Sequence, residues 1–266
     1  MFLLQRYKRY LNTLWSLLSA DWVGYRQNII GACIDAAILS FLLVFITAYV
    51  YPYMGMEAAY GTFYAISTFV SCGIFEMWAF TANFVSDKTG NKTILSQCLL
   101  PVPTWMIFAK MMVSFATRSI CLSMTSIITS KLLLGSQLPL LPLFTGKGIV
   151  LFLAIQLFSG AFALFMASLV PNMDRISMVW IRVLFPLYFL GGSQFSYQTF
   201  ARVFPKVSSI FLLNPLLYLF EGMNGVFWGC DKFLSFWVCL PVIAICGVIF
   251  GTIGVIRIMK QLDLVF

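Results

Sequence analysis

The stretch "FLLNPLLYLFEGMNGVFWG", residues 211–229, decides how many times this chain crosses a membrane. It is apolar enough to pass for a span. Yet it carries Asn214-Pro215 near its start, then Glu221 and Asn224, and three glycines. Proline pushes the residue before it toward extended backbone and suits the first turn of a helix, so Asn214-Pro215 reads as a turn opening a new helix. A carboxylate at mid-membrane is costly without a partner, which argues against Glu221 sitting halfway across. Both constraints are met by a pair of short helices that dips in from the outer side and returns, with arms at 199–212 and 215–228. Gly225 and Gly229 would ease the exit toward Asp231 and Lys232. Irregular backbone at that depth survives only when packed against protein.

Composition sets the solvent. Of 266 residues 61% are hydrophobic and 10% charged, with a mean hydropathy of +0.93, against about 25% charged in a soluble domain. The expectation is an all-α integral membrane protein. Six spans fall at about 29–51, 60–84, 104–132, 147–170, 176–195 and 234–258, each long enough for about 30 Å of hydrocarbon at 1.5 Å per residue. Ahead of them, residues 1–28 place Phe2, Leu3, Tyr7, Tyr10, Leu11, Leu14, Leu18 and Trp22 at roughly helical spacing, with Gln5, Arg6, Lys8, Arg9, Asn12 and Asp21 between. This predicts a cytoplasmic amphipathic helix lying in the interface, Trp15 and Trp22 at headgroup depth. That stretch lacks a short apolar core and a small-residue cleavage site, so the chain is expected to be inserted whole.

Charge fixes the orientation. With the N-terminus inside, the inner segments hold Arg6, Lys8, Arg9, Arg26, Lys88, Lys92, Arg175, Arg182, Arg257 and Lys260. The outer ones hold Lys131, Lys147, Arg202, Lys206 and Lys232, leaving Lys110 and Arg118 within the third span. Ten against five predicts both termini, including a tail at 259–266, on the cytoplasmic side, and so an even number of crossings. Were 211–229 a full seventh crossing, Arg257 and Lys260 would fall outside. The net charge of +8 follows these loops and does not point to nucleic acid.

Several chemistries are disfavoured. No histidine occurs, which removes the commonest general base and metal ligand. The seven cysteines form no C-x-x-C pair and sit mostly in apolar runs, where a thiol acts as a small hydrophobe. There is no G-x-x-x-x-G-K-[ST] loop; "TGKG" at 145–148 lacks both the earlier glycine and the hydroxyl after lysine. The expectation is a non-enzyme that binds no cofactor of its own.

Two sets of residues stand out. Between spans two and three, Asp87 or Ser86 is placed to cap a short helix over 86–100, for which Ile94, Leu95, Leu99 and Leu100 supply an apolar edge. It is either a surface for a cytoplasmic partner or a plain loop turning at Thr89-Gly90-Asn91. Inside the spans, Asp35, Glu76, Lys110 and Arg182 fall about 6–8 residues from the predicted inner ends, in one layer roughly 10 Å deep. Glu76 with Lys110 or Arg182 is the pair expected; Arg118 lies deeper without an obvious partner. The charges form either a clamp holding helices together, a gate that re-pairs, or a proton relay. The abundant aromatic residues, 27 of them phenylalanine, serve lipid-facing bulk and interface belts, and a subset would suit a path for sugars or acyl chains. Gly247-x-x-x-Gly251 fits close helix packing.

The stretch "RVLFPLYFLGGSQFSYQTFARVFPKVSSIFLLNPLLYLFEGMNGVFWG", residues 182–229, resembles the permease subunits of ABC transporters of the type-2 exporter class. The match lies in Pro186, the break Gly191-Gly192-Ser193, the loop Pro205, then Asn214-Pro215-Leu216 and a helix carrying Glu221. A second match is "SDKTGNKTILSQCLLPVPTWMIFAK", residues 86–110, similar to the family's inner loop of a short helix and a proline leading into span three. The chain departs from many relatives in having Asn224 where they carry an arginine.

The resemblance implies a transport subunit bound to a cytoplasmic ABC ATPase, with ATP and magnesium held by that partner. A second permease copy, in a homodimer or heterodimer, would complete the substrate pathway in a bacterial inner membrane. The 86–103 loop would then couple to the ATPase through Asp87, Lys88, Lys92, Ile94, Leu95 and Leu99. The re-entrant segment 196–229 would close the outer side. The substrate implied is a lipid-linked polysaccharide. A drug or lipid exporter is the alternative, and an ATP-independent secondary transporter, which would normally show inverted repeats, is the rival from another class.

Overall fold

The computed structural model describes residues 2–90, 92–100, 102–229 and 232–262, with side chains for all but 2–11 and 89. The described residues are helical or in turns and loops, without a strand. The long helices are α1 (Phe2–Phe45), α2 (Ala59–Thr89), α4 (Thr104–Leu134), α5 (Gly146–Leu169) and α10 (Phe236–Gln261). Between them lie α3 (Thr93–Cys98), α7 (Tyr197–Val203), α8 (Ser208–Phe211) and α9 (Pro215–Trp228). We take α6 as one helical run in three pieces: Ile176–Val179, a π-helical turn at Trp180–Leu184, and Phe185–Phe189.

Five helical stretches are long and apolar enough to cross a bilayer: Asn12–Tyr53, Ala59–Lys88, Thr104–Gln137, Gly146–Leu169 and Phe236–Gln261. With the composition above, they mark an integral membrane protein. The α6 run is too short to join them; from Ile176 to Phe189 it reaches about 21 Å. Its widened turn has a local cause. Pro186 has no N–H to give and its ring crowds the carbonyl four residues earlier, at Arg182, so the helix opens just before it.

Two boundaries differ from the pattern reading. No break separates an interfacial helix from the first span, because α1 runs on through residue 28 to Phe45 and continues through a π-helical turn at Ile46–Val50 to Tyr51–Tyr53. No proline interrupts it before Pro52. The side chains of Arg6, Lys8 and Arg9, on which the amphipathic reading leaned, lie outside the described residues. The second span runs past the expected end at 84 to Thr89, since Asn83, Ser86, Asp87 and Lys88 are polar but not helix-breaking.

The core lies where α2 and α5 meet, with Phe69, Ile74, Met77, Ile155, Phe162 and Leu164 almost fully buried. α10 lies along α5, and α1 along α4. The α10–α5 approach is close because Gly247, Gly251 and Gly254 share one face. An added Cβ at Gly254 would stand 2.8 Å from the Phe165 nitrogen, and one at Gly251 3.4 Å from the Ala161 Cβ. The glycine spacing of the last helix thus serves packing within the chain. A polar set of contacts joins α4 to α1, α2 and α5. Ser119, Ser123, Ser126 and Ser130 form a buried stripe on α4. Ser40 donates to Ser126 at 2.7 Å, Ser123 donates to the Phe69 carbonyl at 2.8 Å, and the Gln156 amide donates to Ser123 at 3.1 Å. Ser119 also donates to the Gln156 side-chain oxygen. Small hydroxyl residues let backbones approach and bind helices to each other where hydrophobicity gives no preference.

Candidate functional site

The richest cluster of charge lies among α1, α2, α3 and α4, at the end of the bundle that carries α3. α3 is positioned by Asp87, whose two carboxylate oxygens accept the backbone N–H groups of Thr93 and Ile94, each at 2.9 Å. This satisfies two of the helix's first free donors from the end of the preceding helix. Lys92 turns the chain between them with φ 52°, and its N–H donates to the Asp87 carbonyl at 2.8 Å. One edge of α3 faces inward, with Ile94 packed against the core. Leu99 and Leu100, just beyond its end, are exposed, Leu99 at 76%.

Lys110 ties three helices together. Its ammonium on α4 donates to Asp21 on α1 at 2.8 Å and to the Gln97 side-chain oxygen on α3 at 3.1 Å. The lysine side chain is only 3% exposed. An ammonium has three donors and no acceptor, so these two partners satisfy most of it. Deeper in, Arg118 on α4 pairs with Glu76 on α2 at 2.7 Å and stacks over the Tyr25 ring on α1, 5.2 Å from its centroid. Its Nε is buried without a partner.

These groups line a cavity of about 470 Å³ together with Asn28, Asn83, Asp87 and Gln97. A second cavity of about 420 Å³ continues from it, bounded by Asp35, Cys72 and Phe75. Asn28, Glu76 and Arg118 border both, so the Glu76–Arg118 pair stands where the two meet.

The pairing differs from the expected one for a geometric reason. Because α2 runs to Thr89, Glu76 lies about 20 Å from its Thr89 end, level with Arg118, which is about 21 Å into α4; Lys110 is only about 9 Å in. Lys110 therefore finds Asp21, which the sequence reading had placed on a separate surface helix. Asp35 and Arg182 are exposed on the chain's surface and form no ion pair among the described residues. Of the other residues singled out in the inner loop, Lys88 donates to the Gln261 side chain at 3.3 Å, and Gln261 donates to the Ser168 carbonyl at 2.8 Å. Lys92, Ile94 and Leu95 border a smaller cavity of about 170 Å³ beside Gln261. Asn91 and Pro101 of that loop lie outside the described residues.

The segment from Pro186 to Glu221 is built as a set of caps. The Asn214 side chain accepts the Leu216 N–H at 3.0 Å, while its amide donates to the Leu187 carbonyl at 2.7 Å, fixing the start of α9 to the end of α6. Pro215 occupies the first turn of α9. Glu221, 1% exposed, accepts the N–H groups of Tyr197 at 2.6 Å and Leu234 at 3.2 Å, joining α9 to the starts of α7 and α10. Gly192 takes φ +83° in the turn after α6. Pro205 lies in the loop before α8, its carbonyl accepting the Ser208 hydroxyl at 2.9 Å. Asn224 is fully buried, its amide donating to the Phe220 carbonyl at 3.0 Å and to Ser67 at 3.4 Å. Asp231, expected at the exit, lies outside the described residues.

Sequence reasoning missed Asp21, Gln97 and the α4 serines. The serine spacing of four, three and four was a readable signal of one buried face. Asp21 and Gln97 carried none. No known protein family, curated protein or solved structure matches this chain.

Proposed function

We propose that this protein is the transmembrane subunit of an ATP-driven exporter, moved by a separate cytoplasmic ABC ATPase, as its resemblance to type-2 exporter permeases implies. The observation that carries the reading is the Lys110 junction. A short helix with apolar residues exposed at its end is joined, through one buried ammonium, to two long helices. A partner gripping α3 would pull on α1 and α4 together. The cavities behind the junction, crossed by the Glu76–Arg118 pair, give that movement something to open.

In this reading the sixth crossing is made by α6 together with the turns on either side of it, from Met173 to Ser193, since the helix alone is too short, and both termini are cytoplasmic in a bacterial inner membrane. The α7–α9 segment is the outer re-entrant element, supported by the contacts of α9 with Ser67 and Phe69 in the first third of α2. The substrate is a lipid-linked polysaccharide, with a drug or lipid as the alternative, and two permease copies form the path. The test is co-purification with an ATPase from the native host, followed by ATP-dependent substrate export in vesicles. Leu99→Asp with Leu100→Asp is expected to reduce ATPase binding at least tenfold, and Lys110→Ala to preserve binding while uncoupling hydrolysis from export. Export by the isolated subunit without ATP would overturn the reading in favour of a secondary transporter.

A further inference from the structure

The two cavities behind the Lys110 junction are lined by six charged side chains, Asp21, Asp35, Glu76, Asp87, Lys110 and Arg118. All but one are answered within the chain. Asp21 pairs with Lys110, and Glu76 with Arg118. Asp87 accepts two backbone N–H groups of α3. Asp35 lines the second cavity, of about 420 Å³, and has neither an ion pair nor a hydrogen bond among the described residues. It is exposed, so a ligand can reach it.

The space around it is shaped by small and apolar groups. α1 brings Gly31, Ala32 and Ala36 to the wall beside Asp35, and Leu39, Phe75 and Leu122 add carbon surface. An added Cβ at Gly31 would meet nothing within 4 Å.

The charge balance of this cavity is negative. Glu76 and Arg118 cancel at 2.7 Å, and the guanidinium lies over Tyr25, which borders the first cavity and not the second. One whole negative charge remains, and a carboxylate within the membrane is costly without a counter-charge. A hard metal cation is a poor match, since it asks for about six oxygen ligands or more. The side chains lining this cavity bring oxygen only from Asn28, Asp35 and Glu76. An organic ammonium is a good one: its donors need few acceptors, and its carbon body suits the rest of the wall.

We propose that this cavity binds an amphiphilic cation, a primary ammonium on an apolar body. Asp35 is its counter-charge, and Leu39, Phe75 and Leu122 cover the apolar part. Two sources share this chemistry, the ammonium end of phosphatidylethanolamine and a free hydrophobic amine. The site lies within one chain and needs neither a second copy nor ATP, so it stands apart from the exporter reading.

The experiment titrates the full chain, in phosphatidylcholine nanodiscs, with dansylcadaverine, a primary ammonium joined to a naphthalene ring, and follows its fluorescence. Saturable binding is expected, and is expected to vanish when the amine is acetylated. Asp35→Asn should weaken it about tenfold or more, as the loss of a charged hydrogen bond implies, and Asp35→Glu should keep it. Asp35 holds no other group in place, so the asparagine variant is expected to fold. Gly31→Leu gives a second test, since it fills the cavity and leaves the charge; it should weaken binding to the same degree. Nanodiscs carrying phosphatidylethanolamine separate the sources. A lipid occupant competes with the probe and stays on the wild type through delipidation, as read by native mass spectrometry, but not on the Asp35→Asn variant. A free amine as the ligand leaves probe binding unmoved by that lipid. An acetylated probe that binds equally well overturns the proposal. So does an affinity unmoved by Asp35→Asn or by Gly31→Leu, and so does a wild type that holds neither probe nor lipid. Failure of any ATPase to bind would sink the exporter reading and leave this site standing.

Discussion

Glu76 and Arg118 show what one ion pair does between spans. With only 12% and 15% of their side chains exposed, neither is well served by water, and each is the other's counter-charge. Removing one leaves an uncompensated buried charge, whereas removing both leaves a polar gap. Glu76→Ala and Arg118→Ala are each expected to cost about 3 kcal/mol in detergent-solubilised protein. The double mutant should fall short of their sum by about 1–3 kcal/mol. Chemical denaturation followed by tryptophan fluorescence measures this; strict additivity would mean that the two do not interact. At this scale the sequence was legible where the chemistry is local. The cap of α3 by Asp87 needs only neighbouring residues. Lys110 and Asp21 are 89 positions apart, and nothing in either one's surroundings names the other.

Among the helices, apolar runs located α2, α4, α5 and α10 to within a few residues, because a bilayer demands length and hydropathy and both are written in composition. The ends were less readable. α2 overran its expected end, and that shift of about one turn exchanged the partners of Lys110 and Glu76. α6 was read as a full span, yet Pro186 and the turn at Gly191-Gly192 leave it short and widened. How glycines are used also belongs to this scale. Gly254→Ala forces a methyl against the Phe165 backbone and is expected to destabilise by about 1–3 kcal/mol. Gly24→Ala, with nothing within 4 Å of the new atom, should be neutral or slightly stabilising, since alanine favours helix by roughly 0.5–1 kcal/mol. Thermal unfolding of the two variants in the same detergent separates the effects, and equal shifts would refute the packing role.

For the molecule as a whole, the positive-inside count predicts an orientation, from a statistical signal that needs no coordinates. It yields a direct prediction. In a variant without native cysteines, Ser96→Cys is expected to react with a membrane-impermeant thiol reagent only in inside-out vesicles, and Glu57→Cys only in right-side-out ones. Both side chains are exposed, so access and not burial decides the result. Reversed labelling would place α3 away from the cytosol and remove the proposed ATPase surface. The cavity beside Lys110 was illegible in the sequence at this scale because it exists only once α1, α2, α3 and α4 converge.

The unbroken run of α1 has a mechanical consequence. A helix joined to its span by a flexible linker could rock on the membrane surface without disturbing anything inside. A single rod cannot, since it has no joint at which to lose the motion. A swing of about 10° around the level of Asp35 would carry the Phe2 end sideways by roughly 9 Å, given 1.5 Å of rise per residue. Asp21 sits partway along that arm, tethered to Lys110. Small angular changes among the buried helices would therefore emerge at the Phe2 end as large, directed sweeps, and a push on the arm would be felt at the pivot with its force multiplied.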